Sequence, residues 1–218
     1  MGRTALVFGA TGLTGGHLVE ELIRNEEYNK VVIFTRREFH TTNPKVHQVT
    51  TALDNIEAIA DSIKGDDLFC CLGTTIKKAG SQDAFQRVDL NAPSKIALIA
   101  SANGVKQFVI ISSIGADAQS RNFYLRTKGQ MEEAVQKSQF SAIAILRPSM
   151  IIGKRSEFRT AEEIAKLIYR PVSYLLFGGL RKYRAITAQI IARAMVRIAL
   201  NPQKDIIFES NKIQSLGS

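Results

Sequence analysis

Thr4-Ala-Leu-Val-Phe8, Gly9-Ala-Thr-Gly-Leu-Thr-Gly-Gly16 and His17-Leu-Val-Glu-Glu-Leu-Ile-Arg-Asn25 follow one another near the N-terminus. The first run is apolar and β-type, the second glycine-rich, and the third has helical spacing. A strand that turns through glycines into a helix start leaves backbone N–H groups and the positive helix end facing a common point, a cradle for a phosphate. Gly9 suits the sharp turn, Gly12 lets a pyrophosphate approach the backbone, and Gly15 or Gly16 lets the helix pack closely on the strand. The three-residue glycine step of Gly9, Gly12 and Gly15 differs from the commoner GxGxxG spacing.

The pattern repeats outward from that unit. Lys30–Thr35, Val46–Thr50, Asp67–Cys71, Gln107–Ser112 and Ser141–Leu146 read as further strands, short, apolar and rich in Val and Ile as when helices cover both faces of a sheet. Helices are expected over Asn55–Ile63, Leu90–Asn103 (capped by Asp89 or Asn91 and ended by Gly104) and from about Tyr124 to Ser138. Such βα units imply an α/β fold, a doubly wound parallel Rossmann sheet. Beyond Arg147-Pro148 the spacing changes: Thr160–Tyr169 and Thr187–Leu200 look helical and Ile206–Phe208 strand-like. The 218 residues fit one domain, with residues 148–218 contributing a small substrate lobe over the carboxyl edge of the sheet.

Composition narrows the classes. Hydrophobic content of 45% and charged content of 22% are those of a soluble globular chain, and no apolar run approaches the roughly 20 residues of a membrane span. The N-terminus enters strand-like sequence at once, leaving no room for a secretory signal, so a cytoplasmic location is expected. The net charge of +9 is spread in short clusters such as Lys77-Lys78 and Lys154-Arg155, which disfavours nucleic acid as the main ligand. Vicinal Cys70 and Cys71 read as a reduced, buried pair, and His17, His40 and His47 lack partners at metal-ligand spacing, so no metal site is expected.

Two further sites carry chemistry. Arg36-Arg37 follows the second strand, where an acid would bond the ribose 2′-hydroxyl of NAD and arginine accommodates the 2′-phosphate of NADP, so NADP is preferred and NAD is the less favoured cofactor. Tyr124 and Lys128 stand four residues apart on one helix face, where an ammonium can stabilise a phenolate and allow proton exchange with a carbonyl or alcohol.

The glycine loop, the Tyr124/Lys128 pair and Ile111-Ser-Ser-Ile-Gly-Ala116 resemble the short-chain dehydrogenase/reductase superfamily, and the glycine spacing with Arg147-Pro-Ser149 resembles its extended and atypical branches. Cys70-Cys-Leu-Gly-Thr-Thr75, Lys78-Ala-Gly80, Val88-Asp89 and the Tyr124–Gly129 stretch resemble the Tat-interacting oxidoreductase-like proteins. The resemblance implies cofactor contacts from Thr11, Gly12, Leu13 and Thr14 to the phosphates, Arg36 and Arg37 to the adenosine ribose phosphate, and Leu72 and Gly73 to the ribose-pyrophosphate. It places Tyr124 and Lys128 at the nicotinamide ribose, Ile151 near the nicotinamide, and Arg159 in the closing lobe, with Tyr124 as acid-base and Lys128 as its electrostatic helper. The third position of the Ser-Ser run, where the superfamily places a Ser or Thr on the substrate carbonyl, is Ile114, leaving Ser113 to orient the substrate. The expected activity is NADPH-dependent reduction of a carbonyl, enone or quinone. The alternative is an NADP(H)-binding regulator of a partner with little turnover. A homodimer is compatible with either.

Overall fold

The computed structural model describes residues 2–153, 182–203 and 206–218. Six of its strands are β1 (Arg3–Phe8), β2 (Tyr28–Thr35), β3 (Val46–Thr50), β4 (Asp67–Cys70), β5 (Gln107–Ile111) and β6 (Ala142–Arg147). With β9 (Ile207–Glu209) they make a seven-stranded sheet in the order β3-β2-β1-β4-β5-β6-β9, every pair parallel. The order reverses on the two sides of β1, and the crevice outside the carboxyl ends of β1 and β4 is the place where such sheets bind ligands.

Alternate residues along the strands feed two cores, as the two-residue period of a strand requires. Val7, Ile33, Phe69, Val109 and Leu146 pack with Leu18, Val19 and Leu22 of α1 (Leu13–Arg24) on one face. Leu6, Val32, Leu68, Phe108 and Ile145 pack on the other with α4 (Ala92–Ala102) and α5 (Phe123–Gln136). Two short helices, α2 (Ile76–Ala79) and α3 (Gln82–Gln86), precede α4. Of the segment assigned to the lobe, Arg159, the Thr160–Tyr169 helix and the rest of residues 154–181 lie outside the described residues. The described remainder divides. Ile151–Ile152 (β7) and Ile186–Thr187 (β8) form a separate two-stranded ladder. In contrast, α6 (Ala188–Leu200) lays Ile191, Met195 and Ile198 on the sheet beside α1, and β9 extends the sheet, followed by α7 (Ser210–Gly217).

Two helical expectations change. Over Leu53–Ser62 the chain makes 3-10 turns interrupted at Asn55 (φ −114°, ψ 30°) rather than a regular α-helix, although Ile56 and Ile63 are buried as expected. The helix before Asn103 does not begin at an Asp89 or Asn91 cap: a π turn over Arg87–Asn91 runs directly into α4. Asp89 caps nothing because its carboxylate is taken by partners from other elements.

The glycine turn explains why α1 sits so close to β1. Gly9 has φ +85°, and a Cβ there would lie 2.7 Å from the Cys71 backbone. A Cβ on Gly15 would lie 2.0 Å from the Gly9 carbonyl oxygen, whereas one on Gly16 would make an ordinary 3.7 Å contact. Close packing therefore belongs to Gly15. Gly15→Ala is expected to destabilise the fold by about 3 kcal/mol in urea unfolding, while Gly16→Ala, inside the helix, gains up to about 1 kcal/mol. Equal effects at the two positions would contradict this packing.

Candidate functional site: a cleft at the carboxyl ends of β1, β2 and β4

The end of β1 passes through Gly9 to Gly12, which caps α1 without any side-chain hydrogen bond, and no acidic residue stands in the first turn of that helix. Its leading N–H groups and dipole thus point at the crevice with no acidic residue in their own turn to oppose them. A cleft of about 570 Å³ opens there, lined by Gly9, Thr11 and Gly12 of the turn, by Arg36, Thr51 and Leu53, and by Leu72 and Gly73 after β4. The Phe8 and Phe34 rings, stacked at 4.3 Å between centroids, also line it. Lys78 and Arg87 reach it from the helical side.

The residues singled out by sequence distribute unevenly around this cleft. Gly9, Thr11, Gly12, Arg36, Leu72 and Gly73 line it together. Thr14 is buried and Gly15 serves packing. Leu13 lies beneath the end of β7, so close that a Cβ on Gly153 would stand 2.8 Å from its side chain, which brings the Ile151–Gly153 segment over the glycine turn. Arg37 is exposed and off the cleft lining, and its carbonyl accepts hydrogen bonds from the Thr35 hydroxyl at 2.7 Å and the Gln48 amide at 2.8 Å.

Beyond β5 the two serines separate in role. Ser112 donates from its hydroxyl to Glu132 on α5 at 2.5 Å. Glu132 also takes the Arg147 guanidinium in a two-pronged grip, with Nε at 3.0 Å and Nη2 at 2.5 Å. This buried group holds β5, α5 and β6 together, and the Glu132 carboxylate holds the Arg147 guanidinium above its ordinary range. Ser113, half-buried, has among the described residues only a long 3.4 Å bond to the Ile114 carbonyl. The loop carrying it is pressed onto α5 at Gly129, where a Cβ would meet the Ala118 nitrogen at 2.1 Å.

Tyr124 and Lys128 share the α5 face that the spacing requires. The Tyr124 ring packs on buried Phe85 of α3, with centroids 5.6 Å apart. The Lys128 side chain is 6% exposed and its Nζ lies 2.7 Å from Oδ1 of Asp89, itself 1% exposed. Asp89 Oδ2 accepts the Thr74 backbone N–H at 2.8 Å. Burial alone would push the Lys128 ammonium down. The Asp89 carboxylate, with the Tyr124 phenol adding, reverses that and holds it above the ordinary lysine range. The stabilisation carried by this proton is complete below the unfolded lysine value and is lost as pH climbs through the folded one. Sequence reasoning missed Asp89, Phe85 and Arg87 as parts of the site. Asp89 could have been suspected from its place seven residues ahead of Ile96 in a helix whose buried face would include it; the other two leave no comparable trace.

Both thiols are free. Burial pushes the Cys70 thiol up to about 12, and the Cys71 thiol is raised as well. Neither forms the thiolate that reacts near neutrality. The expected buried pair divides, because Cys70 is buried while Cys71 is half-buried on the cleft lining. Maleimide should therefore leave Cys70 unlabelled in the folded protein at pH 7, label Cys71 more slowly than a free thiol, and label both after denaturation. Fast labelling of Cys70 in the folded chain would contradict its burial. No cluster of His, Cys, Asp and Glu fit to hold a metal occurs among the described residues, and no helix there is long and apolar enough to cross a membrane.

Comparison with known proteins places this geometry. A family model described as NAD(P)H-binding matches residues 9–202. Protein HTATIP2 of Rattus norvegicus is 31% identical over 204 residues, covering 92% of this chain and 82% of its own. Protein FMP52-1, mitochondrial, of Scheffersomyces stipitis is 33% identical over 197 residues, covering 88% and 87%. Among solved structures, Bordetella bronchiseptica WbmH in complex with NAD+ superposes with a TM-score of 0.72 at 14% identity, over 96% of this chain and 76% of that one. MoeE5 in complex with UDP-glucose and NAD does so with a TM-score of 0.68 at 17% identity, over 98% and 80%. The expectation of a cytoplasmic location is overturned, because several relatives at about this similarity are named mitochondrial. Excluding a secretory signal and a membrane span said nothing about organelle import, whose signals are amphipathic rather than long and apolar. The chain belongs to the NAD(P)H-binding family, together with the HTATIP2 and FMP52 proteins.

Proposed function

We propose that this protein is an NADPH-dependent oxidoreductase acting on a carbonyl, enone or quinone. The observation that carries the reading is the ammonium of Lys128, kept charged at 6% exposure one helical turn from Tyr124 and about 4.0 Å from where a Cβ on cleft-lining Gly73 would stand. That ammonium is paired with Asp89 and stands where a ligand resting on Gly73 would meet it. The nicotinamide-bound solved relatives and the mitochondrial names of the fungal ones favour the same cofactor class and a mitochondrial place for this chain.

The roles follow from position. Gly12 and the first N–H groups of α1 would receive the pyrophosphate, and Thr11 would flank it. Arg36 would meet the 2′-phosphate, its fork suited to bidentate contact. Bound there, the cofactor supplies hydride. Tyr124 would donate the proton to the substrate oxygen, Lys128 would stabilise the oxyanion left on the phenol and hold the nicotinamide ribose, and Ser113 would orient the substrate.

A second reading, a cofactor-binding regulator with little turnover, is favoured by two facts together. Ile114 stands where the superfamily places a substrate-bonding hydroxyl, and Ser112 is spent on Glu132. Following NADPH loss across quinones, aldehydes and ketones separates the two. Under the enzymatic reading Tyr124→Phe should lower turnover by about a hundredfold or more while NADPH affinity falls by less than about tenfold, the loss of one hydrogen bond to the ribose. Binding without turnover on any of these substrates would favour the regulator.

Cofactor choice has its own test. Arg36→Ala should weaken NADPH binding by about tenfold or more, ~1.4 kcal/mol, while NADH binding changes by less than about twofold. Arg37→Ala, off the cleft, should leave both close to native. Equal losses of NADPH and NADH in the Arg36 variant would reject the 2′-phosphate assignment.

A further inference from the structure

Asp89 stands in the π turn Arg87–Asn91 that joins α3 to α4, its side chain 1% exposed. A π turn is rare and less favourable than the α-helix around it, and where one persists a local interaction holds it. Here the Asp89 carboxylate is engaged from two directions. Oδ2 accepts the Thr74 N–H at 2.8 Å, from the loop after β4, and Oδ1 meets Lys128 Nζ at 2.7 Å, from α5. The residue before Thr74 is Gly73, and a Cβ on it would stand 3.5 Å from Asp89 Oδ1 and 4.0 Å from Lys128 Nζ. The ion pair therefore lies against Gly73 of the cleft lining, which has no side chain to set between them.

We infer that Asp89 is a positioning residue of this site: its carboxylate fixes both the place and the charge of Lys128 and keeps it in register with the Leu72–Thr74 loop. A ligand resting on Gly73 then meets an ammonium already in position. This rests on the nicotinamide-cofactor reading above. The groups that face Lys128 among the described residues are Asp89 from the π turn, Tyr124 from the preceding turn of α5, and Cys70 from the end of β4, whose thiol is pushed up to about 12 and is neutral. Asp89 is the one anion among them. Without it, Lys128 would be a buried ammonium with no counter-charge, and such lysines lose their proton roughly 3–5 pH units early.

Asp89→Asn tests this with the least disturbance, because the amide oxygen can still accept the Thr74 N–H and the side chain keeps its shape. Affinity for NADPH and NADH is measured by nicotinamide fluorescence from about pH 6 to about pH 9, NADH serving as the control without a titrating 2′-phosphate. In the native chain both cofactors should show no step attributable to Lys128. In Asp89→Asn both affinities should stay near native at the acid end and fall by about tenfold at the alkaline end, as Lys128 discharges. Lys128→Met should be weak across the whole range, and adding Asp89→Asn to it should change nothing further. A role in packing alone would give Asp89→Asn the same loss at every pH, and losses that multiply in the double variant, and either result overturns the inference.

NMR of [ε-13C]lysine in the cofactor-free protein provides the arm that does not depend on the cofactor. The Lys128 signal should hold its charged position past the ordinary lysine range in the native chain and titrate well below it in Asp89→Asn. An unchanged titration overturns the inference. If the native chain binds neither cofactor, the cofactor reading fails while this arm still decides the role of Asp89. Should Asp89→Asn not fold, the double variant Asp89→Asn/Lys128→Met, with no buried charge, should fold. Its failure to do so would mark Asp89 as a packing residue and overturn the proposal.

Discussion

Everything at the working end of this molecule depends on a backbone crowding that admits no side chain. A Cβ on Gly15 would stand 2.0 Å from the Gly9 carbonyl, and one on Gly9 would stand 2.7 Å from the backbone of Cys71. Three chain segments, the ends of β1 and β4 and the start of α1, are thereby brought to one point with their backbones in contact. The helix start is left uncapped by any side chain and without an acidic residue in its first turn. The free N–H groups face a cleft, and an anion there completes what the sequence left open.

A second constraint of a different kind lies against Gly73 of the cleft lining. The Asp89–Lys128 pair is an electrostatic tie across three elements, made where water is excluded and a mispaired charge would be expensive. In the proposed reading the glycine contacts set where a pyrophosphate would lie, and the ion pair sets a positive charge one helical turn from Tyr124. Phe85 under the Tyr124 ring and Gly129 beneath the loop after β5 supply the remaining registration. The network of Ser112, Glu132, Arg147 and Glu209 then holds the carboxyl ends of β5, β6 and β9 beside them.

Most of the sheet could be read in the sequence because its strands are continuous apolar runs, and a strand buried on both faces leaves that mark on its own residues. A short strand is expected around Val46 to Thr50 and lies there, and the β1–turn–α1 unit is legible from glycine spacing. The expectations that changed concern interactions between distant segments. Asp89 resembled a helix cap because a cap is the commonest local use of an aspartate, and its true partners lie at Thr74 and Lys128. The 3-10 turns at Leu53–Ser62 share their apolar spacing with an α-helix, so periodicity could not separate them. At the site, Arg36 and Arg37 are equivalent in sequence, and only the cleft distinguishes them. The C-terminal helix looked like part of a lobe because its stripe of Ile and Ala says that it packs, not against what; it packs against α1 and the sheet.

The account's central claim is that one cleft holds the whole cofactor, phosphates at the glycine turn and nicotinamide end at Lys128. A crystal structure of the chain with NADPH measures this directly. It should show the pyrophosphate on the Gly12 and Leu13 amides, the 2′-phosphate on Arg36, and the nicotinamide ribose within hydrogen-bond reach of Lys128 and Tyr124. A pyrophosphate seated away from the glycine turn, or a nicotinamide ribose remote from Lys128, would contradict it.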